Sequence, residues 1–135
     1  MEIGEALKTY LTSVVNLNNY LNGKIFPVTI PQDVKNPCLK YQQVTSNRTE
    51  SINHSDEGTG FFTLQFDFYS DTYNELKAIS KQLTLALKNF NGLMGGVSGV
   101  DIKATRKPND DIDDFDDDLK EYSCMQEYIF FYDKE

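Results

Sequence analysis

Tryptophan is absent from this 135-residue chain, histidine occurs once and cysteine twice. The lone imidazole, His54, is the only candidate base for a cysteine or serine nucleophile. It lies in the polar stretch 46–60, poor ground for a fixed dyad. Two distant thiols, Cys38 and Cys124, make neither a disulfide framework nor a zinc site. Both fall in strand-like apolar stretches, where cysteine serves as a small hydrophobe, and they read as reduced. Basic residues are scarce as well: 13 Lys and Arg face 21 Asp and Glu, a formal net charge of -8. That balance argues against a general nucleic-acid binder, which needs clustered bases to neutralise phosphates, and against docking on anionic lipid. No apolar run approaches a membrane span and the first residues show no signal-peptide pattern, so the expectation is a soluble chain. A phosphate-binding glycine loop is missing too. Gly92, Gly95, Gly96 and Gly99 follow a helix rather than a strand, and no Lys-Ser/Thr closes the pattern.

What is present suffices for one domain, 1–135, with a real core. Hydrophobic residues make up 39% and aromatics 13%, from eight Tyr and nine Phe. Ile3, Ala6, Leu7, Tyr10, Leu11, Val14 and Val15 recur at the spacing of one helix face, and Asn18, Asn19, Asn22 and Gly23 are expected to end that helix. Ile25 to Val28 reads as a short edge strand, because Pro27 cannot donate to a central ladder. Cys38 to Val44 is strand-like. Phe61 to Tyr69 alternates cleanly, with Phe62, Leu64, Phe66 and Phe68 on one side and Thr63, Gln65 and Asp67 on the other. Thr72 with Glu75 fits a capping box, and Tyr73, Leu76, Ile79, Ser80, Leu83, Ala86, Leu87 and Phe90 continue as a helical stripe. Val100, Ile102 and Ala104 suggest a further strand, and Leu119 to Tyr132 a long last one, regular or bulged. Segments 46–60 and 107–118 read as polar loops, expected to be mobile.

The coarse order is α-β-β-β-α-β-β. It predicts an α+β domain of two layers, with a mixed or antiparallel four- to five-stranded sheet and two helices on one face. Neither face of the last strand is polar: Met125, Ile129 and Phe131 alternate with Cys124, Tyr128, Phe130 and Tyr132. Two helices cover one face, so the other is expected to meet a partner.

Asp110, Asp111, Asp113, Asp114, Asp116, Asp117 and Asp118 surround Ile112 and Phe115 in the most conspicuous local feature. The run lacks the turn glycine and bidentate Glu of a calcium loop, and like charges at this density favour a solvated segment. A partner-facing surface or a cation site are the alternatives, with Ile112 and Phe115 as anchors to a neighbour. Asp101-Ile102-Lys103 and Asp118-Leu119-Lys120 match the acid-x-Lys of magnesium nucleases. No upstream strand-end acid pairs convincingly with either. The aromatic strand Phe61 to Tyr69 has the look of an RNA-stacking sheet, but lacks the bases that frame one.

The order of these pieces resembles the tail-terminator, or tail-completion, proteins of long-tailed bacteriophages and prophages. Three features carry the resemblance: the helix Ile3 to Val15 leading to Lys24-Ile25-Phe26-Pro27 and Pro37-Cys38-Leu39-Lys40-Tyr41-Gln42; the strand running into a capped helix, Phe66-Asp67-Phe68-Tyr69-Ser70-Asp71-Thr72-Tyr73-Asn74-Glu75; and an acidic segment before an aromatic last strand, Tyr122 to Tyr132. The second is the most specific. The acidic run and segment 46–60 depart from the pattern. The resemblance implies a virion component without enzymatic activity or cofactor, assembled in the bacterial host cytoplasm. Such proteins form a ring, typically a hexamer, on the head-proximal end of the tail tube; the ring ends tube growth and presents a surface to the head connector. Self, tube protein and connector are then the partners, with DNA passing through the lumen unbound. Candidate partner or lumen contacts are Asp110, Asp111, Ile112, Asp113, Asp114, Phe115, Asp116, Arg48, Glu50, His54, Tyr128 and Phe130. Alternatives are a head–tail adaptor or stopper, a small metal-dependent enzyme and an RNA-binding ferredoxin-like domain.

Overall fold

A computed structural model describes residues 3–48, 58–96 and 99–134. Its elements run α1 (Ile3–Ser13), α2 (Val15–Leu21), β1 (Ile25–Pro27), β2 (Cys38–Arg48), β3 (Gly58–Ser70), α3 (Tyr73–Leu87), β4 (Gly92–Met94), β5 (Val100–Arg106), β6 (Ile112–Asp116) and β7 (Glu121–Lys134). The strands form one mixed sheet in the order β1-β2-β3-β7-β5-β4, with β6 also on β7. Only β1 and β2 pair in parallel; the other pairings are antiparallel.

The β3–β7 ladder, from Gly58↔Lys134 to Ser70↔Tyr122, is the spine. Directly paired residues share a face, so Phe62 meets Phe130, Leu64 meets Tyr128 and Phe68 meets Cys124 on the inner side. Phe62 and Phe130 stack with centroids 5.3 Å apart, and Phe66 meets Tyr128 edge-on at 5.6 Å. Leu7, Leu11, Leu17 and Leu21 from the first two helices, and Leu76, Ile79, Leu83 and Leu87 from α3, close over these rings. All of these leucines and the isoleucine are fully buried, each contributing about 1.5–3 kcal/mol of apolar transfer. Thr72 caps α3, its hydroxyl accepting the Glu75 N–H at 3.3 Å. The Glu75 carboxylate turns to the Ser70 hydroxyl at 2.7 Å, and Ser70 Oγ in turn accepts the Thr72 N–H.

The α+β class, the mixed sheet and helices on one side hold; the element count does not. Among the described residues there are three helices rather than two. The expected first helix breaks at Val14, whose ψ of 101° is extended, where the β-branched Val14 and Val15 follow Thr12 and Ser13. Hydroxyls of those two bond back to carbonyls of the preceding turn. Helix α2 then runs through Asn18 and Asn19, because Leu17 and Leu21 at i, i+4 bury together. The asparagines end it one turn late: Asn22 is left-handed at φ 50°, and Asn18 Oδ1 accepts the Gly23 N–H at 2.8 Å. Among the described residues seven strands replace the expected four or five. The additions are β4, inside the glycine-rich turn, and β6, inside the acidic segment. Strand β2 extends to Arg48 and β3 begins at Gly58, so both ends of segment 46–60 are ladder; residues 49–57, with Glu50 and His54, lie outside the described residues.

Candidate assembly surfaces

Ile112–Asp116 pairs with Met125–Glu121 of β7, so this part of the acidic segment is a strand rather than a loop. The three-residue spacing of Ile112 and Phe115 puts them on opposite faces of the ladder. Ile112 joins Met125 on the outer face and is 57% exposed. Phe115 joins Tyr122 on the helix side. The turn into β7 is held by Asp116, whose Oδ1 accepts the N–H groups of Asp118 at 2.9 Å and Leu119 at 3.1 Å.

Two carboxylates of the run bond to side chains of α3. Asp113 Oδ2 receives Lys77 Nζ at 3.2 Å and the Tyr73 hydroxyl at 3.1 Å, tying β6 to the first turn of α3. Asp111 reaches further in. Its Oδ1 pairs with Lys107 Nζ at 2.7 Å, and its Oδ2 accepts from Gln126 Nε2 at 3.0 Å and from the Ser80 hydroxyl. Burial opposes ionisation of Asp111, but the hydrogen bonds from Lys107, Ser80 and Gln126 outweigh it and hold the carboxyl below its ordinary value. Gln126 is itself almost wholly buried on the inner face of β7. Its amide hydrogens are shared with Ser80 and Thr84 of α3, and its carbonyl accepts the Tyr128 hydroxyl at 2.6 Å.

Tyr128 and Phe130, expected among the partner contacts, are fully buried beneath the helices and form core instead. The backbone of Arg48 pairs opposite Gly60 at the end of β2. Neither described thiol suits nucleophilic work: burial pushes Cys38 up to about 11 and, with Asp111 and Asp113 beside it, raises Cys124 further. Asp101 and Lys103 pair on the surface at 2.9 Å, while Leu119 and Lys120 belong to a turn, so neither acid-x-Lys triplet forms a two-carboxylate strand end. Among the described residues, no three or more His, Cys, Asp or Glu side chains gather as a metal site.

The outer face of the sheet carries Phe61, Gln65, Asp67 and Tyr69 of β3 beside Phe131, Glu127, Met125 and Ser123 of β7. These side chains are half-buried, and the Phe61 and Phe131 rings lie 6.0 Å apart. At one end of this face, the loop after β1 folds over Cys38, Lys40 and Tyr69 and leaves a cleft of about 410 Å³ rimmed by Asp116, Leu119 and Glu121. Asn36 anchors the loop, its Nδ2 lying 3.0 Å from Asp71 and 2.9 Å from Glu121. Among the described residues no helix is long and apolar enough to cross a membrane.

The chain shares its fold with a chain of the virion of a native gene transfer agent particle. The TM-score is 0.66, and the alignment covers 97% of this chain and 97% of that one at 7% sequence identity. No family model and no curated protein sequence matches the chain. At 7% identity the likeness concerns the course of the backbone, and the side-chain networks around Asp111 and Asp113 are described for this chain alone.

Proposed function

We propose that this protein is a structural component of a phage-type virion: a tail terminator whose ring caps the head-proximal end of the tail tube, stops tube growth and joins the tube to the head connector. The observation that carries the reading is the shared fold with a virion chain along nearly the whole of both chains. The order of sequence features that resembles tail terminators leads to the same class. A closed ring needs two different, complementary patches on each subunit. The outer sheet face, with Phe61, Phe131, Met125 and the exposed Ile112, supplies one. The helix flank, where Leu85 is exposed, supplies the other. Exposed carboxylates of Asp110, Asp114, Asp116, Asp117 and Asp118 form a local acidic rim. Facing a lumen, such a rim repels DNA and lets it pass without adhering.

The test is light scattering of the purified protein over a range of concentrations, followed by electron microscopy with purified tail tubes. A hexamer-sized mass, or density confined to one tube end, supports the reading. A strict monomer that leaves tube ends bare overturns it. Binding to a connector in the absence of any tube would instead favour a head–tail adaptor or stopper.

A further inference from the structure

Asparagine precedes glycine at two places in the chain, Asn22-Gly23 and Asn91-Gly92. The pair has a chemistry of its own, because a glycine carries no Cβ to keep its nitrogen from closing on the asparagine side chain. Closure requires the asparagine to turn about ψ until Cγ meets that nitrogen, and the glycine N–H to leave any acceptor. Both asparagines are exposed, so water reaches either one. Their backbones differ. Asn22 ends α2 with φ 50° and ψ 45°. Its own N–H donates to the Asn18 carbonyl at 2.7 Å, the Gly23 N–H to Asn18 Oδ1 at 2.8 Å and the Lys24 N–H to the Leu21 carbonyl at 2.9 Å. Three successive N–H groups are held, and the Gly23 nitrogen is engaged with Asn18. Asn91 lies in the irregular link between α3 and β4. Gly92 opens β4, a three-residue strand at the end of the sheet order, paired with β5. So short a pairing at a sheet edge opens with the loss of few contacts.

We infer that Asn91-Gly92 is a self-modification site, converting in the folded chain to isoaspartate and aspartate, while the helix cap keeps Asn22-Gly23 intact. The Gly92 nitrogen gives its proton to solvent base and bonds to Asn91 Cγ. The bond from Cγ to the side-chain nitrogen breaks, and that nitrogen takes up a proton and leaves as ammonia. One water then opens the resulting succinimide. Cleavage at Cγ gives aspartate; cleavage at the main-chain carbonyl gives isoaspartate, whose backbone runs through Cγ and is one carbon longer. The link has little room for that carbon. On one side the Phe90 carbonyl accepts the Thr105 hydroxyl at 2.9 Å, and on the other Met94 is fully buried. The longer backbone therefore pushes Gly92–Met94 out of register with Ile102–Val100. This inference is independent of the virion reading proposed above.

The test keeps the full chain in warm, mildly alkaline buffer, folded in one arm and unfolded in guanidinium chloride in the other. Tryptic peptides are then sequenced by mass spectrometry, and an isoaspartyl methyltransferase marks isoaspartate. Unfolded, the two sites are expected to convert at similar rates, because each is followed by glycine. Folded, Asn91 is expected to convert several-fold faster than Asn22. Asn18→Ala removes the acceptor of the Gly23 N–H; it is expected to speed conversion of Asn22 in the folded chain and to leave it unchanged in the unfolded one. Equal rates at the two sites in the folded chain, faster conversion at Asn22, or an Asn91 that stays intact while folded would each overturn the site. Failure of Asn18→Ala to speed Asn22 would overturn the cause assigned to its protection.

Discussion

Gln126 Nε2 and Asp111 Oδ2 lie 3.0 Å apart beneath α3, joining the innermost strand to the start of the acidic segment. The contact ties the acidic segment to the aromatic last strand. It also explains why β6 holds its place on β7: Asp111 immediately precedes it and is held from three directions, by Gln126, Ser80 and Lys107.

Replacing Gln126 by Leu should remove the amide that Asp111, Ser80, Thr84 and Tyr128 share. Partners left buried without a bond carry their desolvation cost, so a loss of about 1–3 kcal/mol is expected in urea unfolding. A double-mutant cycle with Asp111→Asn should return a coupling well above measurement error; strict additivity of the two changes would argue that the network contributes nothing as a unit.

The same carboxyl sets a pH dependence. Its folded pKa lies below its ordinary value, so its contribution is complete above the unfolded value, about 4, and is lost as pH falls through the folded value. The stability difference between the parent chain and Asp111→Asn should be flat between about pH 6 and 5 and shrink below about pH 4. A difference that widens on acidification would reverse the sign assigned here.

Phe130→Ala should behave as a core truncation. The ring is fully buried against Phe62, and its removal is expected to cost about 3–5 kcal/mol. If urea unfolding of Phe130→Ala matched the parent chain while only assembly suffered, the placement of this ring under the helices would be wrong.

Ile112→Ser makes the opposite prediction. Ile112 is exposed on the outer face beside Met125, so stability should stay within about 0.5 kcal/mol. On the ring reading, association on tail-tube ends should weaken, as seen by counting capped tubes in micrographs. Unchanged capping would remove this edge of the outer face from the interface.

Thr72→Ala tests the α3 cap. With the Glu75 N–H left without its acceptor, about 1 kcal/mol should be lost, read as a shift in the urea midpoint at constant slope.

Much of this architecture was legible along the chain. Alternation from Phe61 to Tyr69 marked the central strand and its inner residues, since a period of two admits no other regular structure. The Thr72–Glu75 box marked the start of α3. Helix α2 and strand β6 were not legible. The asparagines of α2 read as a stop signal, although burial of Leu17 and Leu21 offsets their poor propensity. The carboxylates of β6 read as a solvated loop, although a strand that is exposed throughout tolerates them once Asp111 and Asp113 are engaged. Ser80 lay visibly on the inner stripe of α3; paired with Thr84 one turn on, it was the one sequence signal that a buried polar partner such as Gln126 awaited it.

By itself the sequence determined the α+β class, its strand-to-helix core and a strongly acidic balance of charge. Local rules suffice for these, because periodicity, capping and composition act over a few residues. Only the tertiary structure decided which face of β7 is core. Alternation sorts Tyr128 and Phe130 from Ile129 and Phe131, but both sets are apolar, and the choice depends on the side where three helices settle. It alone also brought Tyr73 onto Tyr122 and seated Asp111 against Ser80 beneath α3, because those contacts join residues far apart in the chain.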